Sequence, residues 1–206
     1  MGHGNYRDPF SGEGNRHTVG AGETLELMVV ALPGESLDRE IDIDLVGEGA
    51  SVRLTGLYLC PGDERVSIRV RLHHRTGACT SHQLFKGIVG GTARVAFDGR
   101  IIVAPDAQKT EAYQENHNLL LSETALVDTK PQLEIYADDV KCSHGATVGR
   151  LSEDEQFYMR SRGIPEAEAR ILQMLSFLSP VIDTVADDAE REKLRARVEA
   201  AVRQMV

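Results

Sequence analysis

The densest grouping of chemically capable side chains is Cys142-Ser143-His144-Gly145, at the end of an alternating run that begins at Leu133. In an extended chain, residues two apart share a face, so the Cys142 thiol and the His144 imidazole can serve one site. Thiolate and imidazole together suit zinc, copper or an iron–sulfur species. Two ligands do not hold a metal stably, so further donors must come from elsewhere in the fold or from another chain. The competing reading is a chance pair on a structural strand.

The other histidines and cysteines point to structure. His73-His74 follow a strand-like run and read as a solvated turn. His117, in Gln114-Glu115-Asn116-His117-Asn118, is placed to bond Asn or Glu side chains. His82 lies three residues after Cys79, a ligand pair with no second pair to complete it. His3 and His17 fall in a Gly-rich leader, expected over residues 1–20. Three cysteines at wide spacing make neither a disulfide framework nor a closed metal site. Cys60 and Cys79 read as small buried hydrophobes. The phosphate loop, the nucleophile elbow and the His-Glu-x-x-His helix are all absent, and nothing demands an enzyme.

The elements that must position Cys142 and His144 change character near residue 150. Before it, Ile41-Asp42-Ile43-Asp44-Leu45 and Val66-Ser67-Ile68-Arg69-Val70-Arg71-Leu72 alternate with period two, the pattern of strands with one buried face. Pro33-Gly34, Pro61-Gly62-Asp63 and Gly90-Gly91 mark turns. Strand-like runs begin near Leu25, Ile41, Val52, Val66, Gln83, Ala93, Ile101, Leu119 and Leu133, a spacing that suits an antiparallel sandwich or a solenoid. After residue 150 the period is helical. Ser152 and Glu155 form a capping box, Gly163 ends the helix they open, and Pro165 starts a second that Pro180 stops. A third helix is expected from about Asp187 to Gln204. The chain therefore divides into the leader, a β body over 21–149 and helices over 150–206, which cap the stack or dock a partner.

With no Trp, five Phe and five Tyr, the core must be mainly aliphatic. The net charge is −9, with no basic stripe, which argues against a nucleic-acid partner. No apolar run spans a membrane, and no secretory signal opens the chain. A reducing, cytoplasmic setting is expected.

Residues 108 to about 169 resemble the SufB/SufD family of iron–sulfur cluster assembly scaffolds, in its SufD branch. The residues that carry this are Gln108-Lys109-Thr110-Glu111-Ala112-Tyr113-Gln114-Glu115-Asn116-His117-Asn118-Leu119-Leu120-Leu121-Ser122, then Thr129 to Gly149 with Cys142-Ser143-His144-Gly145 at its heart, then Phe157-Tyr158-Met159-Arg160-Ser161-Arg162-Gly163-Ile164-Pro165 with Glu168-Ala169. The resemblance implies a right-handed parallel β-helix. It implies that the C-terminal helices dock the SufC ATPase, and that the chain pairs along the β-helix with a SufB-like subunit or with itself. It further implies a transient cluster at that interface, with a Cys from SufB and with His144 of this chain, Cys142 beside it. On this view the chain is a non-enzymatic scaffold, and the His144 ring faces outward at the seam between subunits.

Two departures stand out. The N-terminal helical half usual in the family is expected to be missing. Where the SufB branch carries its assembly Cys, this chain reads Glu115-Asn116-His117-Asn118, with no thiol. The rival readings are a carbohydrate-active β-helix, which needs a line of charged side chains along one outer sheet, and a purely structural interaction module with Cys142 and His144 buried.

Overall fold

The computed structural model describes residues 15–206. Ten strands are followed by three helices: β1 (Arg16–Val19), β2 (Thr24–Ala31), β3 (Leu37–Leu45), β4 (Ser51–Cys60), β5 (Arg65–His74), β6 (Thr80–Val89), β7 (Arg94–Val103), β8 (Glu111–Leu120), β9 (Leu126–Ile135), β10 (Lys141–Gly149), α1 (Glu153–Ser161), α2 (Glu166–Ile182) and α3 (Asp188–Arg203). The odd strands form one sheet in the order β1-β3-β5-β7-β9, and the even strands the other, in the order β10-β8-β6-β4-β2. All paired neighbours run parallel. The body is thus a parallel β-solenoid of about five turns, which decides between sandwich and solenoid. Ser51 lies beside Thr80, Thr80 beside Glu111 and Glu111 beside Lys141, so successive coils take 29, 31 and 30 residues.

Alternation builds the core directly. In β5, Val66, Ile68, Val70 and Leu72 are buried between the sheets, while Arg65, Arg69 and Arg71 face water. Outside, charges answer each other across coils: Asp38 with Arg69 at 3.2 Å, Glu40 with Arg71 at 3.7 Å, Asp44 with Arg75 at 2.6 Å. Exposed pairs of this kind each contribute only up to about 1 kcal/mol, but they keep the register charge-compatible.

Glycine at one interior position makes room for a long aromatic ring. Tyr58, Gly87 and Asn118 stand in one row across β4, β6 and β8. A Cβ at Gly87 would lie 1.8 Å from Tyr58 Cε2. Across this gap the Tyr58 hydroxyl donates to Asn118 Oδ1 at 2.5 Å and accepts from Asn116 Nδ2 at 3.1 Å.

Helix α2 packs on the outer face of the even sheet, and α3 packs on α2. Met174, Leu178, Val181 and Ile182 of α2 bury against Leu57, Leu59 and Ile88, each large side chain contributing about 1.5–3 kcal/mol on burial. The Ser152 side chain accepts from the Glu155 amide, the cap expected from sequence, and Gly163 turns the chain at φ +86°.

Several expectations are corrected. Pro180 lies inside α2, which continues to Ile182. Proline at 180 has no N–H for the Ser176 carbonyl, and the Ser179 hydroxyl donates to that carbonyl instead, at 3.0 Å. Ile101, Leu119 and Leu133 do not open strands but lie near the C-terminal ends of β7, β8 and β9. His74 is not a solvated turn residue. It is fully buried, with Nε2 2.9 Å from Ser81 Oγ, and burial pushes its pKa down to about 4. Within the expected leader, Arg16–Val19 form β1 on β3. His3 and the rest of that leader to residue 14 lie outside the described residues.

Candidate functional site

The two sheets run out together. β9 ends the odd sheet and β10 the even sheet, so among the described residues the last coil presents two unpaired strand edges side by side. Such edges hold rows of free N–H and C=O groups and are templates for pairing with another chain. Cys142 and His144 both lie on β10.

Register fixes where they point. Paired residues of parallel strands share a face. Cys142 stands beside Ala112, His144 beside Gln114, Ala146 beside Asn116 and Val148 beside Asn118. All four β8 partners are buried in the solenoid interior. His144 therefore lies on the inward side of β10, not on the outer face, and is exposed because no coil covers it. It is presented along the solenoid axis, through the open end.

Cys142, half-buried, packs against the main core cluster. Burial raises its thiol above the ordinary range, opposed only by a hydrogen bond with the Ala112 backbone. Left alone, it remains a protonated thiol at neutral pH and becomes a strong ligand only when a metal displaces the proton. Cys60, buried and near Glu64, is pushed up to about 12. Cys79 sits in the core with its Sγ 3.3 Å from the Gly47 carbonyl, and no disulfide joins any of the three cysteines.

His117 and His82 hold structure together. His117 Nδ1 lies 2.8 Å from Thr147 Oγ1 of β10, and its Nε2 is 3.3 Å from Glu115. It thus ties β10 to β8 on the outer face, helped by the Lys141–Glu111 pair at 2.7 Å. His82 stacks on Tyr113, ring centroids 4.9 Å apart, rather than meeting Cys79. The acidic line on the outer face of the odd sheet, Asp38, Glu40, Asp42 and Asp44, faces the arginines of the next coil.

Among the described residues, no three His, Cys, Asp or Glu side chains gather into a metal-binding group. Cys142 and His144 alone are too few donors to hold a metal.

Sequence reasoning overlooked the polar residues behind them. Gln83, Gln114, Asn116 and Asn118 are buried between the sheets. In β8, the parity of Gln114, Asn116 and Asn118 with Ala112 is the available sign, masked because Gln and Asn ordinarily face outward.

A second exposed feature flanks α1. This helix buries none of its residues, and Phe157 and Tyr158 are 73% and 60% exposed. A groove of about 870 Å³ runs between α1, α2 and the end of β8, lined by Leu119, Leu151, Tyr158, Met159, Leu172 and Phe177. No described helix is long and apolar enough to cross a membrane.

The fold is a parallel β-solenoid whose terminal coil carries an exposed imidazole and a half-buried thiol. The family model for the SUF system FeS cluster assembly, SufBD core domain, matches residues 7–177, and the chain belongs to that family. It is 42% identical over 167 residues to the iron–sulfur cluster assembly protein SufD of Escherichia coli, covering 81% of this chain and 40% of the relative. Protein ABCI7, chloroplastic, of Arabidopsis thaliana is 36% identical over 176 residues, 84% of this chain and 37% of the relative. SufD of Bacillus subtilis is 31% identical over 160 residues, 78% and 37%. The chain spans about two fifths of the length of these relatives.

Proposed function

We propose that this chain is a scaffold subunit of SUF-type iron–sulfur cluster assembly. It contributes His144, with Cys142 as neighbour, to a cluster held between two subunits. The observation that carries this reading is the open terminal coil: β9 and β10 end both sheets at one place, and His144 is exposed there. The cluster is cargo, not a resident cofactor. An imidazole and a thiol from one chain, with thiolate from a SufB-like subunit or a second copy, make an open site from which a cluster can leave.

The groove beside α1 and α2 is the docking surface for a SufC-like ABC-type ATPase in this reading. Its support is the exposed aromatic pair Phe157 and Tyr158 on α1, a helix that buries none of its residues. Aromatic side chains that become buried on association anchor interfaces.

The test is anaerobic reconstitution of the full chain with its SufB-like partner, using ferrous iron and sulfide. His144→Ala should lower retained iron while leaving the chain folded by far-UV circular dichroism, because the ring is exposed. Loss of iron only through unfolding of the chain would favour a structural role and contradict the proposal. For docking, Phe157→Asp with Tyr158→Asp should abolish capture of the ATPase without unfolding the chain; unchanged capture would exclude the groove.

A further inference from the structure

The interior row that ends at His144 reaches it through two carboxamides. Gln83 on β6, Gln114 on β8 and His144 on β10 stand in register on the same inward face. Both glutamines are buried. Gln114 Nε2 donates to Gln83 Oε1 at 2.9 Å, while Gln114 Oε1 is buried and bonded to no described side chain, the His144 ring included. Glycine at position 99 on the facing sheet makes room for this amide: a Cβ there would lie 2.3 Å from Gln114 Nε2. Gln114 is therefore locked by its neighbour below and by the wall opposite.

Stacked amides on parallel strands form a ladder with a direction, each donating to one side and accepting from the other, across strands about 4.8 Å apart. Here the donor end is committed to β6, which leaves the acceptor end for β10. A buried carbonyl without a donor costs about 1–3 kcal/mol. The next side chain in the row is His144, whose imidazole carries an N–H in either neutral tautomer.

We infer that Gln114 is a positioning residue for His144, accepting one ring N–H through Oε1 and so leaving the other ring nitrogen free for iron. Metal-binding histidines characteristically donate their second N–H to a carbonyl or carboxylate, which fixes tautomer and orientation; loss of that partner typically costs 10–100-fold in metal affinity. The inference rests on the ligand role proposed for His144 and adds the group that aims it.

The experiment uses the full chain labelled with ¹⁵N-histidine. Long-range ¹H–¹⁵N correlation at pH 8 reads the His144 tautomer without metal, with His144→Ala assigning the signals. The wild type should show a single tautomer. Gln114→Leu, which cannot accept, should return the averaged shifts of a free imidazole. Should that variant fail to fold, Gln114→Met, of similar length, makes the same comparison. In the reconstituted complex, Gln114→Leu should weaken ferrous iron binding at least tenfold. If His144→Ala lowers iron but Gln114→Leu changes neither tautomer nor iron, the positioning role is overturned and the ligand role stands. If Gln114→Leu shifts the tautomer yet neither substitution changes iron, the ligand role falls, and the positioning role with it.

Discussion

Substituting alanine for Gly87 tests the interior row that braces β8, on which β10 is laid. The new methyl would lie 1.8 Å from Tyr58 Cε2 and 2.5 Å from Cδ2, so the ring must leave its place. Overpacking of a tight core costs about 1–3 kcal/mol. Displacement also breaks the hydrogen bonds of the Tyr58 hydroxyl with Asn118 and Asn116. Leaving those buried amides unpaired adds about 1–3 kcal/mol, for a total near 4 kcal/mol. Urea denaturation followed by far-UV circular dichroism reads the loss. A double-mutant cycle identifies its cause: in a Tyr58→Ala background, where the ring is gone, Gly87→Ala should cost less than about 1 kcal/mol. If the two losses simply add, the close approach of Tyr58 to Gly87 is not what makes glycine necessary, and the reasoning fails.

Three further outcomes follow from the same structure. His74 is held at about 4 against an unfolded value of 6.5, so it folds neutral. Its contribution is complete above pH 6.5 and is lost as pH falls through 4, about 3 kcal/mol in all; urea midpoints measured across this range should fall less steeply in His74→Leu. Thiol labelling of the native chain with an aromatic disulfide reagent should modify Cys142 first, with Cys60 and Cys79 protected by burial, and Cys142→Ala should remove the early phase. The Asp187 side chain accepts from the Glu190 amide at 2.9 Å to cap α3, so Asp187→Ala should cost about 1 kcal/mol in thermal or chemical unfolding.

Strand alternation was legible wherever the inward residues were aliphatic, as in Val66 to Leu72. It failed where they were not. In β7 the inward position 99 is glycine, and Ile101 beyond it looked like a new strand. In β8 the inward residues are Ala112, Gln114, Asn116 and Asn118, so the pattern that marks a buried face was carried by amides. His74 continues the parity of Val66, Ile68, Val70 and Leu72, which could have marked it as interior. The repeat was hidden because coils of 29, 31 and 30 residues blur any fixed period. The cap of α1 is readable because Ser152 acts on an amide three residues away. The pairing of Cys142 with His144 on one face was local and therefore visible. That this face is the interior, opened only by the end of the solenoid, depends on which strands pair, and no local pattern contains that.

The central claim is that His144 reaches iron through the open coil. The most direct measurement is pulsed electron paramagnetic resonance on the cluster reconstituted from ferrous iron and sulfide in the complex of the full chain with its partner, after reduction. The account predicts a ¹⁴N hyperfine coupling typical of a ligating imidazole, absent in His144→Ala and unchanged in His117→Ala. A spectrum without that coupling in the wild type, or one that survives in His144→Ala, would contradict it.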